Sequence, residues 1–204
     1  HHLYLSASKI VVVTDSFKKY IIKEHQIKPE KIGVFKNGVL ISNFKKPKPN
    51  DVLTLKESLG LKNKIIISYL GTHGLAHGLK FILESISKIS NPDLHFLFIG
   101  DGAEKENLIK YSKTLHSKNF TFLESVTKSE IPLYIDISDF SLVNLKKSGE
   151  FKNVIPSKIF ENIAMYKPIL LGVEGESKKL INSYEVGVCF EPENKESFLN
   201  AIKD

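Results

Sequence analysis

Residues 64–89 read KIIISYLGTHGLAHGLKFILESISKI, a stretch that passes from an apolar run through a glycine-rich loop into an amphipathic segment. The run at 64–70 is β-branched or aliphatic almost throughout, which is typical of a strand buried on both faces. The segment from residue 78 onward has apolar residues at helical spacing, so it predicts a helix that covers such a strand. Strand, loop and covering helix together form the repeating unit of a parallel α/β sheet.

The same unit recurs along the rest of the chain. Further apolar runs lie at 94–100, 120–123, 139–143, 168–173 and 186–190, and helix-period segments lie at 104–115, 129–136, 156–165, 176–184 and 194–202. This alternation predicts an α/β fold with a doubly wound, Rossmann-like parallel sheet. Ligands bind such sheets at the carboxyl ends of the strands, so the loops that follow the strands are the candidate binding segments.

The first fifty residues are organised differently. A buried strand at 9–14 is followed by a helix at 15–25, which Thr14 or Asp15 could cap, and then by a short strand at 31–35. One strand and one helix cannot form the core of a Rossmann domain. We therefore expect residues 1–35 to be the end of a truncated N-terminal Rossmann-like domain.

A lysine- and proline-rich segment, NFKKPKPND, follows at residues 43–51. Proline restricts the backbone and lysine keeps it in water, so this composition predicts a stiff surface linker. We expect an interdomain linker over residues 36–51 and a separate ligand-binding domain over residues 52–204.

Charge and composition narrow the classes of function. Lys+Arg 29 and Asp+Glu 23 give a formal net charge of +6, spread along the chain. This mild basic bias suits anionic ligands or an anionic membrane face, but it is too diffuse for a nucleic-acid-binding surface. The single Cys189 excludes an internal disulfide and fits a reducing compartment. No apolar run approaches the roughly 20 residues that span a bilayer, so we expect a cytoplasmic protein.

The loop GTHGLAHG at residues 71–78 follows the first strand of the main domain. Its glycines allow the backbone to approach a ligand closely, and the next helix begins there, which together suit a phosphate group. A turn that only changes the chain direction explains the glycines equally well. The spacing matches neither a P-loop nor a dinucleotide fingerprint. His73 and His77 could donate hydrogen bonds to a phosphate or a sugar hydroxyl, with His73 the better placed.

A second glycine motif, IGDG at residues 99–102, follows the next strand. A tight turn into a helix explains it without any ligand, and a lone GxG is weak evidence for a nucleotide.

The segment PSKIFE at residues 156–161 begins another helix. Pro156 suits a first helical position, so the backbone N–H groups of Ser157 and Lys158 would face outward, beside the ammonium of Lys158. Glu161 lies one turn further on the same face, where its carboxylate could accept hydrogen bonds from two ribose hydroxyls. The alternative is an ion pair between Lys158 and Glu161, worth only about 0.2–0.5 kcal/mol at a surface.

The sequence shows no further motif for metal binding by carboxylates or for a nucleophilic serine. We find no DxD pair that would hold a divalent metal against a diphosphate, and Asp136 and Asp139 are better explained as caps. No GxSxG elbow is present either. Metal-dependent and acyl-enzyme reactions are therefore disfavoured, and we expect neither a metal nor a cofactor.

Taken in order, five segments resemble the C-terminal domain of family 4 glycosyltransferases, which have the GT-B fold of two facing Rossmann-like domains. They are KIGVFKNGVLISNF at 31–44, YLGTHGLAHGLKFILESI at 69–86, LHFLFIGDGAEKENL at 94–108, FTFLESVTKSEIPLYIDISDFSLV at 120–143 and PSKIFENIAMYKPIL at 156–170. Each segment alone is a weak signal, whereas all five in this order are specific.

The resemblance implies a role for each matching position. Glu161 would bind the ribose of a nucleotide diphosphate sugar, the loop from Gly71 to Gly74 and the helix start at Ser157 and Lys158 would approach the diphosphate, and Val126 would face the base. The implied donor site comprises Gly71, Thr72, His73, Gly74, Val126, Asn153, Val154, Ser157, Lys158 and Glu161. The implied reaction is metal-independent transfer of a hexosyl or N-acetylaminosugar group from a UDP-sugar with retention of configuration.

Two departures from the family pattern concern the donor. Asn153 stands where the family usually has a glutamate that contacts the sugar, and Thr72 and His77 stand in place of an arginine and a lysine of the first phosphate loop. These variants resemble the WbuB-type L-fucosamine transferases of bacterial surface polysaccharides.

The resemblance also implies what lies outside this chain. The catalytic base and the site for a saccharide or lipid-linked saccharide acceptor would belong to the N-terminal domain, so we expect the fragment alone to bind the donor without turnover. The pathway would be bacterial polysaccharide or lipopolysaccharide biosynthesis, with peripheral contact at the inner face of the membrane. Two alternatives stay open: a catalytically silent nucleotide-sugar or polysaccharide-binding module, and a sugar-nucleotide 2-epimerase.

Overall fold

The computed structural model describes residues 1–203, which form a small N-terminal unit and a larger α/β unit. The N-terminal unit consists of α1 (His2–Ser6), β1 (Ile10–Val12), α2 (Asp15–His25) and β2 (Ile32–Val34). Strands β1 and β2 pair in parallel, and the side chains of Val12, Ile21, Ile27 and Ile32 form a small core between them and α2. Thr14 caps α2, since its hydroxyl oxygen accepts a hydrogen bond from the Phe17 N–H at 3.1 Å.

The larger unit alternates helices and strands. Its elements are α3 (Pro49–Ser58), β3 (Ile65–Leu70), α4 (Leu79–Ile86), β4 (Leu94–Ile99), α5 (Lys105–Ser112), β5 (Phe120–Leu123), α6 (Ile131–Asp136), β6 (Phe140–Asn144), α7 (Lys158–Ala164), β7 (Ile169–Gly172), α8 (Glu176–Tyr184), β8 (Gly187–Cys189) and α9 (Lys195–Ala201). Each apolar run forms a strand, and every strand pairing is parallel. The predicted α/β fold with a doubly wound parallel sheet is therefore confirmed.

The sheet order is β5-β4-β3-β6-β7-β8. The chain builds outward from β3 to β5 on one side and then crosses to β6, from which it builds outward to β8. Neighbouring loops diverge at such a reversal and leave a crevice at the carboxyl ends of the two central strands. The topology thus favours a ligand site at this carboxyl edge of the sheet, beside the loop after β3.

Successive side chains of each strand point to opposite faces of the sheet, and they pack into an apolar layer on each face. Ile67 and Tyr69 of β3 join a core with α4, α5 and α9, whereas Ile66 joins a core with α3 and residues of β4. A third cluster packs α7 and α8 against β7. This two-sided burial explains why the strands read as continuous apolar runs.

Helix α3 is a departure from the sequence interpretation. It begins at Pro49, within the predicted linker 36–51, because proline suits the first turn of a helix. Val52, Leu55 and Leu59 then pack against the sheet core. The segment without α-helix that precedes α3 therefore ends at residue 48, and it includes a short 3-10 helix, Ile41–Asn43.

Within residues 1–203, no helix has the length and apolar character required to cross a bilayer.

Candidate functional site

A cleft of about 330 Å³ opens at the carboxyl ends of β3 and β4, beside the crossing to β6. Four of the predicted site residues line it: Gly71, Thr72, Val126 and Glu161. The other lining residues are Leu70, Ile99, Gly100, Asp101, Ser125 and Ile131. Segments far apart in sequence thus meet at the sheet edge that the topology selects.

The loops after β3 and β4 are joined backbone to backbone. The Gly71 N–H donates to the Ile99 carbonyl at 2.9 Å, and the His73 N–H donates to the Asp101 carbonyl at 2.7 Å. A side chain at Gly100, where φ is +139°, would overlap the Gly71 carbonyl oxygen. The glycines of the IGDG motif therefore do more than form a turn, because they allow the two loops to stack as one wall of the cleft.

His73 does not lie where the sequence interpretation placed it. Its side chain has no accessible surface, and its ring packs between Tyr69 and Phe122. Its backbone N–H and carbonyl are both used within the protein, the carbonyl accepting from Glu104 at 2.8 Å. Burial, together with Lys105 and Lys158, lowers the pKa of His73 to about 4, so the ring is neutral near pH 7. As placed, His73 supports the loop from beneath, and both of its ring nitrogens are buried without a hydrogen-bond partner among residues 1–203.

The second half of the glycine loop is held by β6. The side-chain amide of Asn144, at the end of β6, donates to the His77 carbonyl at 2.8 Å, and burial lowers the pKa of His77. Gly74 lines a separate, smaller cleft of about 290 Å³ together with Lys146 and Glu193. The loop is therefore divided: Gly71 and Thr72 face the main cleft, and Gly74 faces away from it.

Lys158 begins α7 and points back toward the glycine loop. Its ammonium lies 4.0 Å from the centre of the Tyr69 ring, and a side chain at Gly71 would come within 2.8 Å of it. No carboxylate of the residues at 1–203 lies within ion-pairing distance of this ammonium. Burial lowers the pKa of Lys158 to about 8, an effect that the charge of Glu161 partly opposes. The surface ion pair between Lys158 and Glu161 is therefore not formed.

Glu161 is partly buried and lines the cleft. Burial raises the pKa of its carboxyl, and the nearby Lys158 acts in the opposite direction. The helix that carries both residues is anchored to β6, since the buried Asn162 accepts from the Ser141 hydroxyl and donates to the Lys158 carbonyl at 2.7 Å. These two bonds fix the first turn of α7 relative to the sheet.

The remaining predicted residues lie outside the cleft wall. Ser157 is exposed just before α7. The Asn153 carbonyl accepts from the Thr14 hydroxyl at 2.6 Å, and the Val154 carbonyl accepts from the Ser177 hydroxyl at 2.9 Å. The backbone of this segment thus contacts both the N-terminal unit, through Thr14, and α8, through Ser177.

Six cleft residues lie outside the predicted set, among them Asp101, Ser125 and Ile131, and the supporting residue Tyr69 was also missed from sequence. Asp101 and Ser125 closely follow β4 and β5, so their position at strand carboxyl ends was an available signal. Tyr69 reads as an ordinary strand residue, and only its contacts distinguish it. Among residues 1–203, no three His, Cys, Asp or Glu side chains are grouped as a metal site requires.

One family model, described as glycosyl transferases group 1, matches residues 51–204 of the chain. Among curated relatives, the chain is 28% identical over 184 residues to WcaI of Escherichia coli (strain K12), named for glycosyl transfer in colanic acid biosynthesis. That alignment covers 88% of this chain and 45% of WcaI. Two further relatives are also named as glycosyltransferases. The chain thus spans a little under half the length of the curated relatives it matches.

Among solved structures, the chain resembles Anabaena Alr3699/HepE, determined in complex with UDP and glucose, with a TM-score of 0.82 at 17% identity. The likeness covers 98% of this chain and 54% of that one. It also resembles the C-terminal domain of LpcC, a glycosyl transferase group 1 family protein of Francisella tularensis, with a TM-score of 0.65 at 18% identity. Here 81% of this chain and 86% of that chain are covered. These likenesses confirm the predicted GT-B type of fold.

Proposed function

The chain belongs to the glycosyl transferases group 1 family, and from this premise we propose that it is the donor-binding part of a retaining glycosyltransferase that uses a UDP-sugar. The transferred group is a hexosyl or N-acetylaminosugar residue, as in the L-fucosamine transferases. The acceptor is a saccharide or lipid-linked saccharide of bacterial surface polysaccharide or lipopolysaccharide biosynthesis. The protein acts in the cytoplasm, in peripheral contact with the inner face of the membrane.

The observation that carries this proposal is the meeting of Gly71, Thr72, Val126 and Glu161 around one cleft. Val126 and Ile131 give the cleft an apolar side suited to a flat base. Glu161 supplies the carboxylate that two adjacent ribose hydroxyls require as acceptor. The UDP bound by HepE is a precedent within the same fold for a ligand of this chemistry.

The diphosphate would lie between the Gly71–Thr72 turn and α7. The ammonium of Lys158 lies against Gly71 and has no carboxylate partner among residues 1–203, so a diphosphate there would provide its missing countercharge. During transfer, negative charge develops on the leaving diphosphate, and a fixed ammonium stabilises that charge. No metal is required for this role, and the catalytic base is supplied by the N-terminal domain.

We propose the same division of the chain as the sequence suggests, with one change. Residues 1–35 are the end of an N-terminal Rossmann-like domain, and the small two-stranded sheet of β1 and β2 supports this because so short a sheet is rarely stable alone. The linker is shortened to 36–48, since α3 packs with the C-terminal nucleotide-sugar-binding domain.

Glu161→Gln is expected to weaken UDP binding about tenfold. The glutamine amide has one neutral oxygen acceptor, whereas the carboxylate of Glu161 has two charged oxygens that can accept hydrogen bonds from the ribose. UDP is titrated calorimetrically into the 204-residue chain and its variants up to millimolar nucleotide. Glu196→Gln, a surface change in α9, is the matched control and should bind as the unmodified chain does. If the chain binds no UDP, or if Glu161→Gln and Glu161→Ala leave the affinity unchanged, the donor site is assigned wrongly.

The affinity for UDP is expected to fall as the pH rises through about 8, the pKa of Lys158. Below that pH the ammonium is charged and attracts the diphosphate, and above it the amine is neutral. Between pH values of about 7.5 and 9 the UDP affinity should fall about tenfold, because the charged fraction of Lys158 falls by about that factor. Lys158→Arg keeps its charge at these pH values, so its affinity should be flat with pH, whereas a profile parallel to that of the unmodified chain would contradict the role of Lys158.

A further inference from the structure

Tyr69, the penultimate residue of β3, touches both sides of the proposed diphosphate position. Its side chain is 1% exposed, and its hydroxyl donates to the Thr72 carbonyl at 2.7 Å. The face of its ring carries the Lys158 ammonium at 4.0 Å from the centroid. One side chain therefore contacts the glycine loop through its hydroxyl and the first residue of α7 through its ring.

We propose that Tyr69 is a positioning residue for the donor diphosphate, whose hydroxyl fixes the Gly71–Thr72 turn and whose ring holds the Lys158 ammonium until the diphosphate replaces it. This inference deepens the proposed function and rests on it. Tyr69 would thereby couple two binding segments, at Thr72 and at Lys158, that are 86 residues apart in the sequence.

The surroundings of Lys158 explain why a ring is needed. The groups that face the ammonium are Glu161 on its own helix, the Tyr69 ring on β3, and His73 and His77 on the loop. Burial lowers the pKa values of both histidines and so disfavours their charged forms, and Glu161 lies beyond ion-pairing distance of the ammonium. An aromatic face attracts a cation through its quadrupole without neutralising it.

The donor can displace this cation–ring contact more easily than it could displace an ion pair at the same place. The attraction of a ring for an ammonium is weaker than that of a doubly charged diphosphate, so the donor can draw Lys158 from Tyr69. A carboxylate partner would instead compete with the donor for the same charge. The absence of a side chain at Gly71 leaves room for the ammonium to lie against the loop backbone in both states.

Two variants separate the tasks of the hydroxyl and the ring. Tyr69→Phe removes the bond to Thr72 but keeps the aromatic face, so we expect UDP affinity about threefold weaker and an unchanged pH midpoint. Tyr69→Leu removes both, so the charged form of Lys158 loses support and the midpoint should move down by about half a pH unit. Phe96→Leu, another buried aromatic of the same core, is the control for general destabilisation and should move neither quantity.

The midpoint of the Lys158 titration is measured in two ways. UDP is titrated at a series of pH values, and the ¹³Cε-labelled lysines are followed by NMR without ligand. The Lys158→Met variant identifies the Lys158 signal. If UDP binds and both Tyr69 variants match the Phe96→Leu control, the inference is overturned while the proposed function stands. If UDP does not bind but Tyr69→Leu still shifts the Lys158 titration, the ring contact stands and the proposed function fails. Should Tyr69→Leu not fold, Tyr69→Phe still decides, because unchanged UDP affinity in that variant contradicts the loop-fixing role.

Discussion

Gly100→Ala is expected to destabilise the protein by about 2–4 kcal/mol, the combined cost of a left-handed alanine and of overpacking. The φ angle of Gly100 is +139°, and its added Cβ would overlap the Gly71 carbonyl oxygen. That carbonyl belongs to the turn that lines the cleft, so the loops must separate to admit the methyl group. UDP affinity should therefore fall together with stability.

Urea unfolding followed by circular dichroism measures this effect, and two other glycines provide controls. Gly60 also has a positive φ, +69°, but a Cβ there would have no neighbouring atom within 4 Å, so Gly60→Ala should cost only about 1–2 kcal/mol of backbone strain. Gly38 has open space and no positive φ, so Gly38→Ala should be near neutral. If Gly100→Ala is no more destabilising than Gly60→Ala, the close approach of the two loops is not essential to the fold.

Lys158→Met is expected to weaken UDP binding at least about 30-fold, the effect of removing one charge-assisted bond of about 2 kcal/mol or more. The same change should raise the free energy of unfolding by about 1 kcal/mol, because a partly buried cation without a carboxylate partner among residues 1–203 is replaced by an apolar chain of similar length. Opposite effects on binding and stability are typical of a residue retained for function rather than for folding.

Calorimetry and urea unfolding on the same preparation measure both quantities. Lys179→Met provides the matched control, since Lys179 is an exposed lysine that pairs with Glu176 on α8. It should leave UDP affinity unchanged. Loss of stability in Lys158→Met without loss of affinity would show that the ammonium supports the fold and not the donor.

The strands and most helices were predictable because their signals are local. Runs such as KIIISYL are apolar on both faces, and this pattern is typical of strands in a sheet that helices cover on both faces. Helix α3 was missed because proline and lysine at 45–49 also fit a linker. Its apolar residues are stabilised by packing against the sheet core, which the local sequence does not show. Its existence depended on a packing surface built by distant strands.

The candidate site was predictable to a lesser degree than the fold. Gly71, Thr72, Val126 and Glu161 follow strands or lie in the first turn of a helix at the carboxyl edge, so their convergence follows from the topology. His73 was placed at the ligand because it lies in the glycine-rich loop after β3, yet Phe122 from β5 and Tyr69 enclose its ring. Phe122 lies 49 residues further along the sequence, so no local pattern predicts that His73 is enclosed.

By itself, the sequence determined the sheet class, the order of its loops and the short list of polar side chains that those loops carry, since hydrophobic period and glycine position are local properties. Only the tertiary structure decided which of those side chains face the cleft. The spacing of Lys158 and Glu161 permits an ion pair but does not require one, and the ammonium is instead held by Tyr69 from another element of the fold. The solvent exposure of a side chain and the groups it contacts depend on residues that the fold brings together, and many of these are distant from it in the sequence.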